Sequence, residues 1–112
     1  TDVKAVPKVL TPNNDGKNDF TVIEFLLVKT ETKIKINIFS TSGTLVRTLH
    51  DKTTTPRDYR YQGVPDPVNA PGRWDGKNRD GDLVPPGIYV FQVIADTDEG
   101  KKVKTGTVAV AY

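Results

Sequence analysis

The sequence predicts an all-β sandwich of about seven antiparallel strands with Greek-key connections. Short apolar runs recur along the 112 residues, separated by turns rich in Gly, Pro, Asn and Asp. Several runs alternate apolar and polar residues with the period of two that a half-buried strand requires. Nowhere do about eleven consecutive residues show the apolar spacing of an amphipathic helix. These three observations define the fold class.

Two strands in the first half have a clear inner and outer face. The run FTVIEFLLV, residues 20–28, places three apolar side chains opposite Glu24, and the run KIKINIF, residues 33–39, alternates strictly. The side chains predicted to face the core are Ile23, Phe25, Leu27, Ile34, Ile36 and Ile38. Those predicted to face away from it are Lys33, Lys35 and Asn37.

Turn signals place the hairpins. The STSG turn makes residues 43–50, GTLVRTLH, the hairpin partner of the Ile-rich strand. Residues 87–95, GIYVFQVIA, are dense in β-branched and aromatic residues, which is typical of a central strand. The turn TDEGKK, residues 97–102, leads into the last strand, VKTGTVAVAY, in which Gly106 predicts a β-bulge.

The Pro-rich stretch at residues 51–73 is the hardest to assign. It carries four of the prolines, and a loop of that length without secondary structure is unusual in a compact domain. We therefore predict a short edge strand at residues 58–62, DYRYQ.

Length and composition limit the function. A chain of 112 residues suits a single domain over residues 1–112. Its net charge of +2 is scattered, which argues against a nucleic-acid surface. No apolar run reaches the length of about 18 residues that a membrane-spanning helix needs. The sequence has no Met, so we expect a piece excised from a larger protein.

The sequence predicts no catalytic function. It has no Cys, and His50 is its only histidine. A Ser–His–Asp arrangement of Ser40 or Ser42 with His50 and Asp51 is formally available, but no nucleophile turn or oxyanion donor accompanies it. We interpret His50 as a surface residue at a strand end.

Two Asp/Asn-rich loops offer oxygen ligands of the kind that Ca²⁺ prefers. Neither loop has the ligand spacing of an EF-hand. The same residue types build turns without an ion, because Asn and Asp close Asx turns and Gly adopts positive φ. Two interpretations therefore remain open: plain turns, or turns that also hold Ca²⁺. The candidate ligands are Asn13, Asp15 and Asp19 in the first loop and Asp75, Asn78, Asp80 and Asp82 in the second.

The loops are predicted to be neighbours if consecutive strands alternate in direction and residues 51–73 cross the sandwich an odd number of times. The loop before Phe20, the STSG turn and the loop after Trp74 then share one end of the domain. The KTETK and TDEGKK turns share the other end. We expect the first end to be acidic and the second to be rich in lysine.

The aromatic residues suggest one core position and one contact surface. A single Trp beside a turn typically fills the space between two sheets, so we expect Trp74 in the core, together with Tyr89. Aromatic and Arg side chains are enriched in protein contacts, and Tyr59, Arg60 and Tyr61 form a candidate binding surface. The simpler interpretation is that they cover an edge of the sandwich.

Several motifs resemble a known family. INIFSTSGTLVRTL, WDGKNRDGDLVPPGIYVFQVIA and KKVKTGTVAV resemble the Ig-like domain of flagellar hook-assembly (hook-capping) proteins, a module also found at the C-terminus of secreted bacterial proteins. The opening LTPNNDGKNDF is similar to the start of gliding-motility-associated C-terminal domains, which are sorting modules of type IX secretion. Together the motifs extend from Leu10 to about Val110.

The resemblance implies a non-catalytic Ig-like or fibronectin-like module of a larger secreted or cell-surface bacterial protein, exported through the periplasm. It implies a role in attachment, spacing or C-terminal sorting, with other domains of the parent protein or the secretion and surface machinery as partners. The alternatives are a flagellar hook-capping scaffold and an accessory carbohydrate-binding module of a secreted hydrolase. The expected cofactor is none, or Ca²⁺.

Overall fold

The computed structural model describes residues 3–12, 19–25, 32–54, 60–61, 64–65, 70–97 and 100–111. Within these ranges all regular structure is β, and no helix there is long and apolar enough to cross a membrane. The described strands are β1 (Lys4–Val6), β2 (Val9–Leu10), β3 (Thr21–Glu24), β4 (Thr32–Ser40), β5 (Leu45–Thr54), β6 (Arg60–Tyr61), β7 (Val64–Pro65), β8 (Arg73–Trp74), β9 (Gly87–Thr97) and β10 (Gly100–Val110).

Two sheets form a sandwich, as predicted. The larger sheet has the strand order β2-β10-β9-β4-β5, and the smaller one has the order β1-β3-β8. Strands that follow one another in the chain, such as β3 and β4 or β8 and β9, lie in different sheets, which is the Greek-key arrangement of an Ig-like fold. The Ig-like sandwich is therefore confirmed.

The expectation of purely antiparallel pairing is wrong at one edge. Strand β2 pairs in parallel with β10, with Val9 opposite Ala109. The cause is that residues 4–10 contribute a strand to each sheet. Strand β1 pairs with β3 in the smaller sheet, and after Pro7 the chain continues as β2 in the larger sheet. The last strand, β10, is antiparallel to β9 and runs in the same direction as β2.

The core lies between the sheets and contains the predicted Ile stripe of β4. Its buried apolar side chains are Leu10, Ile23, Phe25, Ile34, Ile36, Ile38, Trp74, Val84, Tyr89, Phe91, Val93, Val108 and Val110. Leu27, which was also predicted to face the core, lies outside the described residues.

Asn37 faces away from the core, as predicted, and is nevertheless only 6% exposed. Its Nδ2 donates to Oε1 of Gln92 at 3.3 Å, and its Oδ1 accepts a hydrogen bond from the Thr48 hydroxyl at 2.8 Å. Neighbouring strands therefore cover a polar side chain on the outer face and satisfy its hydrogen-bonding groups.

Strand β5 is longer than predicted and irregular. It extends to Thr54, and its pairing with β4 shifts between Ile36 and Asn37 and again between Ile38 and Phe39. At each shift β5 contains one residue more than β4, which is the arrangement of a β-bulge. Bulges at a sheet edge increase the local twist and discourage pairing with another chain.

The predicted bulge at Gly106 is wrong. Strand β10 pairs with β9 in unbroken register from Gly100 opposite Thr97 to Val110 opposite Gly87. The glycine serves packing instead, because it lies opposite Phe91 and leaves room for that ring. The central position of β9 and its hairpin with β10 are confirmed.

The short edge strand predicted at residues 58–62 is present as β6 (Arg60–Tyr61), but its partner is not a strand of either larger sheet. Strand β6 pairs with β7 in a two-stranded antiparallel ladder, with Arg60 opposite Pro65. Among the described pairings this ladder is separate from both larger sheets. A proline has no N–H to donate, so β7 is poorly suited to an inner position in a wider sheet.

Candidate functional site

The described residues do not assemble the Ser–His–Asp arrangement that the sequence left formally open. His50 lies opposite Ile36 on β4, whereas Ser40 is four residues further along that strand. At about 3.3 Å per residue, this separates their backbones by roughly 13 Å along the sheet. The His50 ring hydrogen-bonds to the Thr54 hydroxyl instead.

Trp74 lies in the core, as predicted. It is wholly buried and meets Tyr89 edge-to-face, with ring centroids 5.5 Å apart. Its indole Nε1–H donates to the backbone carbonyl of Lys77 at 2.9 Å, so the polar edge of the ring is satisfied. The side chain therefore connects the core to the loop that follows it.

Asn78 organises this loop. Its Oδ1 accepts hydrogen bonds from the backbone N–H groups of Asp80, at 2.9 Å, and Asp82, at 3.0 Å. The backbone N–H of Asn78 also donates to the Asp82 carbonyl, at 2.8 Å. These bonds form an Asx-type turn, so the Asn/Asp pattern has a structural use that requires no ion.

The loop is fastened to the bulged edge strand β5. Arg47 Nη1 donates to Asp75 Oδ1 at 2.9 Å, and the same oxygen accepts the backbone N–H of Lys77 at 3.1 Å. One residue earlier on β5, the carbonyl of Val46 accepts the backbone N–H of Arg79 at 3.1 Å. The second pairing shift of β5 thus coincides with the place where the loop contacts this strand.

The two Asp/Asn-rich loops begin next to each other, which agrees with the predicted neighbourhood. A Cβ atom on Gly76 would lie 3.0 Å from Cγ of Pro12 and 3.3 Å from Cδ1 of Leu10. Gly76 also has a φ of 79°, in the left-handed region that favours glycine. The contact therefore requires a residue without a side chain.

The calcium hypothesis stays a prediction. Asn13 and Asp15 lie outside the described residues, and Asp19 is half-buried. Within the described ranges, no group of three or more His, Asp or Glu side chains is placed to hold a metal ion. Oδ1 of Asp75 and Oδ1 of Asn78 already accept hydrogen bonds. The binding role of Tyr59, Arg60 and Tyr61 also stays a prediction, because Tyr59 and the side chains of the other two lie outside what the structure describes.

The exposed charges of the described residues can be compared with the polarity expected for the two ends of the domain. The end formed by the β9–β10 hairpin and the start of β4 exposes many lysines, as predicted. At the other end, the described part of the second loop exposes Lys77 and Arg79 beside Asp80 and Asp82, so the exposed charge of these residues is mixed. The exposed lysines of the first end are Lys33, Lys35, Lys52, Lys101, Lys102 and Lys104.

An uncharged apolar surface on the outer face of the larger sheet was not predicted. Val9, Ala109 and Ile88 lie opposite one another on three adjacent strands, and Val9 and Ile88 are 44% and 52% exposed. The next row contains Phe39 opposite Leu45, which is 39% exposed. The continuous apolar run GIYVFQVIA was the available signal, because a strand with one solvated face normally alternates.

The fold and the described residues define an Ig-like β-sandwich module. A scan against protein families then identifies it: the chain belongs to the CHU_C type IX secretion signal domain family, whose model matches residues 4–110. The resemblance to a type IX sorting domain is confirmed, whereas nothing supports the flagellar hook-capping resemblance. The domain is thus part of a protein that is secreted or located at the cell surface.

Solved structures share the fold. One belongs to PorZ, described as an essential bacterial surface component of the type-IX secretion system of human oral-microbiomic Porphyromonas gingivalis. It is 20% identical with a TM-score of 0.56, and the match covers 98% of this chain and 11% of that one. Another is dimeric latent PorU from Porphyromonas gingivalis, 16% identical with a TM-score of 0.55, covering 82% of this chain and 8% of that one. The chain thus spans a small part of each, and no curated protein matches it.

Proposed function

We propose that this domain is a C-terminal sorting signal that directs its parent protein through type IX secretion. The observation that carries the proposal is the family match, which extends from β1 to the last residue of β10. The match therefore includes every described strand of both sheets. We infer that the secretion apparatus recognises the signal as a folded unit.

Backbone hydrogen bonds between the β2 segment and the end of β10 support recognition of a folded unit. The backbone N–H of Ala109 donates to the carbonyl of Lys8, and the N–H of Ala111 donates to the carbonyl of Leu10, both at 3.0 Å. Because of these bonds, removing either segment breaks the same edge of the larger sheet. Truncation at either end should therefore abolish sorting through loss of the fold.

We infer that the partners are components of the secretion and surface machinery, with other domains of the parent protein as the alternative. The apolar surface around Val9 and Ile88 supports a contact role, since exposed apolar patches mark interaction sites. PorZ, whose fold is similar, is described as a surface component of a type-IX secretion system. The alternative of a carbohydrate-binding module is weakened, because Trp74 is wholly buried and cannot stack on a sugar.

The sorting role is tested by a reporter fusion in a bacterium that has type IX secretion. A fluorescent protein with an ordinary export signal is joined to residues 1–112 and produced in the parent strain and in a strain that lacks the secretion system. We expect export in the parent strain only, and none for the reporter without the domain. Retention of the fusion in the parent strain, with the domain shown to be folded, would contradict the proposal.

The same fusion separates sorting with attachment from sorting with release. Reporter that is removed from intact cells by added protease is attached to the surface, whereas reporter in the medium has been released. A Gly106→Val fusion, in which the core is disrupted, serves as the control for recognition of the folded state. It should be retained inside the cell or degraded.

A further inference from the structure

Among the described strands, none other than β9 pairs with the backbone of the first half of β10. On the side away from β9, the described pairing of β10 is with β2, and it begins at Ala109. The N–H groups of Ala109 and Ala111 point towards this side. Because backbone groups alternate along a strand, those of Lys101, Val103 and Thr105 point the same way, and no described strand pairs with them there.

This segment differs from the other edges of the larger sheet. Strand β5 is interrupted by two shifts of register, and the last two residues of β10 are paired with β2. The first half of β10 keeps an unbroken register with β9. A regular edge to which no described strand is paired is a template on which another extended chain can pair.

The side chains exposed along this edge determine which kind of extended chain can bind there. Lys101, Lys102 and Lys104 are exposed, and Val103 between them is 50% exposed. Lys101 lies opposite the exposed Asp96, whereas Lys102 and Lys104 lie opposite Ala95 and Val93. The turn before the edge carries Asp98 and Glu99 in the sequence. Lys102 and Lys104 are therefore the two lysines best placed to bind acidic side chains of an added strand.

We propose that the first half of β10 binds an extended, acidic segment of a partner protein by strand addition. The backbone groups of Lys101, Val103 and Thr105 supply the hydrogen bonds, and Lys102 and Lys104 supply the charge selectivity. A second copy of this edge is disfavoured as the occupant, because like charges would face each other. This binding surface is independent of the sorting role, so the test uses the 112-residue chain alone.

The test is a titration with a synthetic peptide, acetyl-Glu-Val-Glu-Thr-Glu-Val-Glu-amide, followed by amide chemical shifts in NMR. We expect the largest shifts at residues 101–107 and about tenfold weaker binding to the Lys102→Glu/Lys104→Glu variant, because two attractive contacts become repulsive. Lys35→Glu, a charge change on β4, is the matched control and should bind nearly as well as the original chain. Shifts confined to other strands, or equal binding by the double variant, would overturn the proposal.

Two further variants separate strand addition from charge attraction alone. Thr105→Pro removes an N–H that points to the open side and leaves the ladder with β9 intact, so it should weaken binding without unfolding the domain. If that variant does not fold, a peptide with N-methyl groups at alternate positions makes the same test on the unchanged protein. Equal binding of the N-methylated and unmodified peptides in both methylation registers would show that no strand is added.

Discussion

The ring of Phe91 lies directly against the backbone of Gly106 on the neighbouring strand. A Cβ atom at position 106 would be 2.3 Å from Cζ of Phe91, closer than any two such atoms can approach. Phe91 is 1% exposed and belongs to the central strand β9. Gly106 therefore leaves the ring of Phe91 the space that it occupies between the sheets.

Replacing Gly106 by Ala should lower the free energy of unfolding by about 1–3 kcal/mol, the usual cost of overpacking a core. The measurement is urea unfolding followed by Trp74 fluorescence. Phe91→Leu combined with Gly106→Ala is the control, since the smaller side chain should recover part of the loss and make the two changes non-additive. Unaltered stability of Gly106→Ala would show that the ring moves aside without cost.

Tyr89 and Pro85 form a second contact that can be tested. The Tyr89 hydroxyl donates to the Pro85 carbonyl at 2.6 Å, near the start of β9, in the manner of the tyrosine corner of Ig-like sandwiches. Tyr89→Phe should destabilise the domain by about 1 kcal/mol, the net value of one such hydrogen bond. Tyr89→Leu, which also removes the ring contact with Trp74, should cost clearly more in the same unfolding assay. Equal values for the two variants would contradict a separate role for the hydroxyl.

Asn78 should be the most sensitive polar residue of its loop. Asn78→Ala removes an oxygen that accepts two backbone N–H groups, and we expect a loss of about 1–2 kcal/mol in thermal unfolding. Asn78→Asp keeps the acceptor and should retain most of the stability. Asp80→Ala, a change to an exposed side chain in the same turn, is the matched control and should be within about 0.5 kcal/mol of the original chain.

The calcium hypothesis predicts a higher unfolding temperature in millimolar Ca²⁺ than in EDTA. A ligand that binds only the native state adds about 2.7 kcal/mol at a hundredfold excess over its dissociation constant. Asp15→Ala should abolish this difference, whereas a change to Asp51, which lies on β5 away from both loops, should leave it unchanged. Coincident curves with and without Ca²⁺ would mean that the loops are plain turns.

The sequence was sufficient for the features that depend on local order. The strict alternation of Ile34, Ile36 and Ile38 identified the inner face of β4, and the turn residues identified both long hairpins. The likeness of the opening LTPNNDGKNDF to type IX sorting domains identified the family. These features were accessible because strand period and turn chemistry are properties of neighbouring residues.

Tertiary structure decided what depends on residues far apart in the chain. Gly106 looked like a bulge until Phe91 was placed beside it, and Asn37 looked like a solvent-facing residue until Gln92 and Thr48 covered it. The parallel pairing of β2 with β10 joins residues about a hundred positions apart, and no local pattern encodes it. The alternation of apolar and polar residues predicts the face of a strand on which a side chain lies. The neighbouring strands determine whether that side chain contacts an aromatic ring, a hydrogen-bond partner or water.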